Sequence, residues 1–292
     1  MHNCLVGSEM CIRDSFSASA FQLQQISFVF FEPKDISITN INVLTFIIVS
    51  FLILYFILIG GIRRISDFAS KLVPGMIIIY LFCIIQSIFF HYEGVIDAIN
   101  LVVTDAFSVR STSGGMIYLL AYSAQRMIFG ADVGTGFSGI INSNSNAKNH
   151  LDQGLIVSIE PVFAGLLMSL SGFVVILTGT REIVQVQGLE GIGVLHHAFT
   201  AHMPWISILL KTSIVLFAGT TVLAEGYTIE LSIRTFFKNI KKTLMWSKII
   251  YIVFALYISL SILLPFSMLL DIGDLAFTIL AIPNCIAIIL LG

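Results

Sequence analysis

The sequence predicts an all-α protein that lives in a membrane. Three observations carry this. The 292 residues are 57% hydrophobic and 11% charged, with a mean hydropathy of +0.97, a balance that soluble domains rarely approach. The apolar residues fall in runs long enough for helical spans, which need about 20 residues each. Near the middle, two apolar stretches too short to cross alone, 95–103 and 116–129, flank a polar, Gly-rich segment. It reads Asp105-Ala106-Phe107-Ser108-Val109-Arg110-Ser111-Thr112-Ser113-Gly114-Gly115. Joined, the flanks make one interrupted span. Backbone outside a helix at membrane depth is tolerated only where protein or a watery cavity satisfies its amides. A break of this kind therefore points to a transporter's substrate site. The plainer alternative is an ordinary loop between two short helices.

Residues 1–15 differ in character from the rest of the chain. They lack the cationic start and continuous apolar core of a signal peptide. The run Val6-Gly7-Ser8-Glu9-Met10-Cys11-Ile12-Arg13-Asp14-Ser15 resembles translated adapter sequence from read assembly. They are set aside as a non-native leader, and 16–292 is read as a transporter domain incomplete at both ends.

Residues 16–31 read as the end of a span that carries Gln22, Gln24 and Gln25; amides at membrane depth usually face a protein interior, and the alternative is a piece that is merely interfacial. Residues 43–61 make a clean span, closed by Gly60-Gly61-Ile62-Arg63-Arg64-Ile65. Residues 72–90 make the next, with Pro74 in its first turn, where a missing N–H costs little. A turn at His91-Tyr92-Glu93 leads into the interrupted span. The glycines of 130–136 evoke a phosphate-binding loop, but no strand precedes them and no Gly-Lys-Ser/Thr follows.

Residues 153–178 are a span with Glu160-Pro161 near its start. The proline predicts a kink, and Glu160 is either an ion-pathway carboxylate or an interfacial residue paired with a loop. Residues 179–204 read as a long polar connection in which His196, His197 and His202 are solvated, since their spacing is not the helical two-histidine zinc pattern. Residues 205–227 span again, with Thr220, Thr221 and then Glu225; hydroxyls there often bond back to their own helix. Residues 249–266 and 270–291 are the last spans, the latter carrying Asp274 and Pro283-Asn284.

Charge and cysteines narrow the class. A net charge of -2 points to neither nucleic acid nor an acidic partner. Cys4, Cys11, Cys83 and Cys285 are scattered, so neither a disulfide nor a metal cluster is expected. No nucleophile–base pair stands out, so the chain is not read as an enzyme.

Motifs then converge in order on one family. Phe21-Gln22 with Gln24 and Gln25, Gly60 to Ile65, Lys71-Leu72-Val73-Pro74 with Tyr80, and Ala106-Phe107 with Gly114-Gly115 form the first half. Gln153-Gly154, Glu160-Pro161, Thr178-Gly179, Leu216-Phe217-Ala218 with Thr220-Thr221 and Tyr227, and Asp274 with Ala281-Ile282-Pro283-Asn284 complete it. The set resembles the alanine or glycine:cation symporter family over nearly all of 16–292.

The resemblance implies a LeuT-type fold of inverted repeats, with this chain a fragment covering roughly the third to tenth spans. It implies sodium-coupled symport of a small neutral amino acid, alanine or glycine, by a multi-pass protein of the cell membrane. The alternatives are a same-fold carrier coupled to protons or moving another solute, and a diverged homologue that does not transport. The implied substrate-binding residues are Gln22, Gln24, Phe107, Ser113, Gly114 and Gly115. Thr220 and Thr221 are the implied sodium ligands. The implied partners are the amino acid, sodium as coupling ion and the bilayer; no other cofactor and no nucleic acid is expected. The chain departs from the family pattern at Asp132, where a Glu is usual, and at Ala164-Gly165, where Asp-Thr is usual. Arg110 also falls inside the break, placed to repel sodium or to pair with Asp105.

Cytoplasmic connections carry excess Lys and Arg. If the spans alternate and the interrupted one crosses once, Arg63, Arg64, Lys71, Arg126, Lys148, Arg234, Lys238, Lys241, Lys242 and Lys248 share one side, against Lys34 and Arg181 on the other. Arg63→Cys, Lys71→Cys, Arg126→Cys and Lys241→Cys should therefore react with an impermeant thiol reagent from the cytoplasmic face. Lys34→Cys and Arg181→Cys should react from the opposite face. Labelling of Arg64→Cys and Arg181→Cys from one common side would overturn this topology.

Overall fold

The computed structural model describes residues 2–31, 35–107, 115–131, 134–136, 149–187, 189, 191–201, 203–236 and 240–291. The described residues are helix, turn or loop, without strand. In order the helices are α1 (His2–Phe30), α2 (Ile41–Ile59), α3 (Gly61–Phe90), α4 (Val95–Ala106), α5 (Met116–Ala131), α6 (His150–Leu177), α7 (Thr180–Gln187), α8 (Ile192–Thr200), α9 (Ile206–Phe236), α10 (Ile240–Ser261) and α11 (Phe266–Leu291). A 3₁₀ turn, Tyr92–Gly94, joins α3 to α4. Among the described residues, five helical segments are long and apolar enough to cross a membrane: Ile41–Ile59, Ser70–Phe90, Leu151–Leu177, Ile206–Ile233 and Phe266–Ile286.

The chain divides into two compact units, Met1–Ile78 with Lys211–Gly292, and Ile79–Leu210. In the first unit α1 packs along α10 and α11, and α10 packs on α2. Their shared core holds Leu23, Leu54, Leu58, Val222, Phe254 and Ile258, with Phe16 meeting Phe254 edge-on at 5.0 Å. The sequence of α2 shows why it is a bilayer element. Asn40 caps it, its side chain accepting from the Asn42 N–H at 3.1 Å. Val43, Ile47, Leu54 and Leu58 are buried on one face. Leu44, Ile48, Leu52 and Phe56 are exposed at the same helical spacing. A helix that is apolar all round belongs in a hydrophobic solvent as much as in a core.

α1 uses a different logic. Ser15, Ser17, Ser19 and Ser27 are buried beside Ala18 and Ala20, and small residues let helix backbones approach closely without a hydrophobic drive between them. The helix is continuous from His2, so it runs through the segment set aside as a leader.

In the second unit α6 is the axis, with α4, α5, α7 and α8 all packed against it. Tyr80, in the last turns of α3, hydrogen-bonds the Ser171 hydroxyl of α6 at 2.5 Å. α6 ends at Thr178, and Gly179 follows at φ 68°. That left-handed turn suits glycine and sends the chain straight into α7.

Two expectations are corrected here. Pro74 lies well inside α3, not in a first turn, because the helix already begins at Gly61. The charges of 61–71 look like a connection, yet Ile62, Ile65 and Phe68 keep helical spacing and nothing there stops a helix. The connection 179–204 is not simply polar, since it forms α7 and α8, with Ala198 and Phe199 buried. Ile192, Leu195 and Phe199 share one helical face, a signal outweighed by the surrounding glycines and histidines.

Among the described glycines, Gly226 of α9 leaves the least room for a side chain. A Cβ there would collide with the Leu58 side chain of α2, which is fully buried and has little room to swing away. Gly226→Leu should destabilise the protein by about 1–3 kcal/mol through overpacking, more than the roughly 1 kcal/mol of helix propensity it gains. Adding Leu58→Ala should recover part of the loss, because contacting sites couple. Thermal unfolding in detergent checks this; additive effects of the two changes would refute the contact.

Candidate functional site

Two short helices flank the polar, Gly-rich segment. α4 stops at Ala106, and Phe107 closes it with its N–H on the Val103 carbonyl at 3.3 Å. α5 restarts at Met116. With 12 and 16 residues, neither helix has the length of a span. Ser113, Gly114 and Arg110 lie outside the described residues. Phe107 is 82% exposed at the end of α4, and Gly115 is half-buried just before α5.

Both halves lean on α6, and between them lies a cavity of about 410 Å³. Leu101, Val102 and Ala106 line it from α4, and Leu119, Leu120 and Ser123 from α5. Ile176 of α6 adds a further apolar wall. At its edge Asp105 Oδ2 meets Arg181 Nη1 of α7 at 3.2 Å. The expected pairing of Asp105 with Arg110 lies outside the described residues; among the described residues Arg181 stands beside Asp105. The Gly179 turn places Arg181 there.

The other candidates belong to the first unit. Gln22 is half-buried on α1. Gln24 is 1% exposed, and its Nε2 donates to the Leu264 carbonyl, between α10 and α11, at 2.7 Å. Its Oε1 is buried without a hydrogen-bond partner. Thr220 and Thr221 sit adjacent on α9. Thr220 Oγ1 donates to the Leu216 carbonyl at 2.8 Å, with the Phe217 carbonyl at 3.0 Å and Met76 Sδ at 3.6 Å. Thr221 Oγ1 donates to the Phe217 carbonyl at 3.0 Å. This is the back-bonding that threonines in apolar helices often show. Each oxygen keeps lone pairs, so the bonds orient the hydroxyls without removing them as ligands. The structure thus groups Gln22, Gln24, Thr220 and Thr221 in one unit, and Phe107 and Gly115 in the other.

Several polar residues have roles that the sequence pattern does not signal. His196 and His197 are half-buried on α8, not solvated in a loop. His196 Nε2 is 2.9 Å from Ser207 Oγ, and His197 Nδ1 is 3.5 Å from Thr180 Oγ1. His202 and Asp132 lie outside the described residues. Glu160 is exposed on α6, and Pro161 is internal to that helix. Glu230, which no motif marks, is buried on α9 and accepts from Tyr251 Oη at 2.7 Å. Arg126 lies within α5, stacked over Tyr122 at 5.0 Å.

The family model of the sodium:alanine symporters matches residues 10–292. The chain belongs to that family. It is 28% identical over 259 residues to an uncharacterised transporter of Haemophilus influenzae, covering 86% of this chain and 55% of the relative. It is 28% identical over 260 residues to the amino-acid carrier protein AlsT of Bacillus subtilis, covering 87% and 53%. It is 25% identical over 256 residues to a putative sodium/proton-dependent alanine carrier protein, YrbD, of the same organism, covering 82% and 52%. The chain thus spans about half the length of these relatives. An integral membrane protein of several helical spans agrees with both the family and the five apolar helices.

The Asp105–Arg181 pair leaves 56% and 60% of the two side chains exposed. Exposed pairs contribute about 0–1 kcal/mol. Arg181→Gln and Asp105→Asn should therefore each lower unfolding stability by less than about 1 kcal/mol, measured by melting in detergent. A loss of about 3 kcal/mol would mean that the pair clamps the unit as buried pairs do.

Proposed function

We propose that this chain is the central part of a sodium-coupled carrier that moves a small neutral amino acid, alanine or glycine, across the cell membrane. In this reading it is a fragment covering roughly the third to tenth spans of a LeuT-type inverted-repeat fold. The observation that carries the reading is the family match over residues 10–292. The helix interruption between Ala106 and Met116 supports it.

The chemistry follows from the interruption. The first turn of α5 has backbone N–H groups without intrahelical acceptors, and its end of the helix dipole is positive. It suits the substrate carboxylate, together with Ser113, Gly114 and Gly115. The last carbonyls of α4 suit the ammonium group, and Phe107 covers the ligand's apolar part. Gln22 and Gln24 supply amides. Sodium takes oxygen ligands: the Thr220 and Thr221 hydroxyls, with carbonyls freed where a helix is broken. No other cofactor is required. Protons are the second candidate for coupling, favoured by the name of the putative sodium/proton-dependent relative.

The test is uptake into proteoliposomes by the protein extended at both ends to the length of its relatives. An inward sodium gradient should drive alanine or glycine uptake. Thr220→Val with Thr221→Val should raise the sodium concentration for half-maximal uptake at least tenfold. Unchanged sodium dependence would reduce both threonines to helix-bonding residues. Uptake driven by a pH gradient without sodium would select the proton reading.

A further inference from the structure

We propose that Met76 sets the sodium affinity of the Thr220–Thr221 pair. Its thioether stands beside Thr220, where a further oxygen ligand would otherwise stand, and so keeps the ion weakly held. The proposal rests on the reading of this protein as a sodium-coupled carrier, and it names the residue that governs the ion's release.

The contact joins two helices within the first unit. Met76 of α3 is 6% exposed and Thr220 of α9 is 7% exposed, and Met76 Sδ lies 3.6 Å from Thr220 Oγ1. A threonine hydroxyl carries one proton. Two helix carbonyls lie closer to it, Leu216 at 2.8 Å and Phe217 at 3.0 Å, and both are stronger acceptors than a thioether. The proton therefore goes to the helix, which leaves the sulfur against the oxygen's remaining surface. Thr221 bonds the Phe217 carbonyl at 3.0 Å, and among the described residues no side chain of another helix hydrogen-bonds it. The two hydroxyls are thus unequal: Thr220 faces sulfur and Thr221 does not.

The chemistry sets the direction of the effect. Hard cations take oxygen ligands, whereas thioether sulfur suits soft metals such as Cu(I). Met76 therefore fills space beside the ion without ligating it. Its unbranched, polarizable side chain adapts to the hydroxyl it touches. A carrier gains from weak binding, because an ion must be held well enough to enter and loosely enough to leave. An oxygen in place of the sulfur would strengthen binding about tenfold, and most of that gain would appear as slower release.

The experiment is sodium-driven uptake of radiolabelled alanine or glycine into proteoliposomes by the protein extended to the length of its relatives. Half-saturating sodium and maximal rate are measured separately. Met76→Gln keeps an unbranched side chain of similar length and carries an amide oxygen. It should lower half-saturating sodium about tenfold and also lower the maximal rate. Met76→Leu removes the sulfur and adds no oxygen, so both values should stay within about twofold. Met76→Gln should not change half-saturating sodium in Thr220→Val, yet keep its full effect in Thr221→Val, because only Thr220 touches the sulfur and contacting sites couple. Melting in detergent checks the fold of each variant. Met76→Glu should shift half-saturating sodium in the same direction, a second reading where the glutamine variant melts early.

Unchanged or raised half-saturating sodium in both oxygen-bearing variants would overturn the proposal and leave Met76 as packing. An equal change in Met76→Leu, or a glutamine effect that persists in Thr220→Val, would do the same. The carrier reading fails separately, by the absence of ion-driven uptake in the parent protein, and this inference would fall with it.

Discussion

A bilayer offers the peptide backbone no hydrogen-bond partner, so every amide at membrane depth must be satisfied inside the protein. Uninterrupted helices meet that demand by themselves. α4 and α5 do not, because each ends where its neighbour in sequence has yet to begin. Their free ends need support from a third element, and α6 provides it by packing against both. It can do so because its 28 residues are themselves of span length. The same helix then positions α7 through the Gly179 turn, so one scaffold fixes the two broken ends and the charged residue beside them.

The first unit solves the matching problem for side chains. Its helices are too apolar to be held together by the hydrophobic effect inside a lipid phase, where hydrocarbon is as good a neighbour as leucine. Close packing and polar contacts must contribute instead. The serines of α1, the glycine of α9 against Leu58, the Ser50–Ser259 hydroxyl contact at 3.2 Å and the Tyr251–Glu230 bond are the means. None of these is large alone, and interhelical hydrogen bonds in membranes are worth roughly 0.6–2 kcal/mol each.

This explains which parts were legible in sequence. α2 was, because an apolar run bounded by Asn40 and Gly60 has one reading. The two short helices on either side of 108–114 were, because a bilayer penalises polar glycine-rich sequence so heavily that its position is informative. Helix starts in charged sequence were not: the residues of 61–71 suit a helix and a connection equally, and only tertiary context decides. α7 and α8 were hidden by glycines, two of which, Gly179 and Gly191, take positive φ next to these helices and do not loosen the chain. The Asp105–Arg181 pair joins residues 76 positions apart, and no local pattern marks such a pair. Its cavity needs four helices to exist, so it too had to await the fold.

Gln24 shows how one hydrogen bond fixes a whole side-chain amide. Its Nε2 already ties α1 to the α10–α11 turn through the Leu264 carbonyl. That bond fixes the plane of the amide, and the plane fixes the direction of Oε1, which is buried and without a hydrogen-bond partner. A buried acceptor left without a donor costs about 1–3 kcal/mol, a cost that packing alone gives no reason to keep. A leucine would fill comparable volume without that cost, though it would also leave the Leu264 carbonyl without this donor. An acceptor held rigidly in place is instead what an ammonium group or a metal cation requires, since its orientation is settled before the ligand arrives. The two back-bonded threonines obey the same rule: each gives its proton to its own helix and so aims its lone pairs. In this unit the bonds that tie these side chains to the scaffold also fix the directions of their remaining acceptor oxygens.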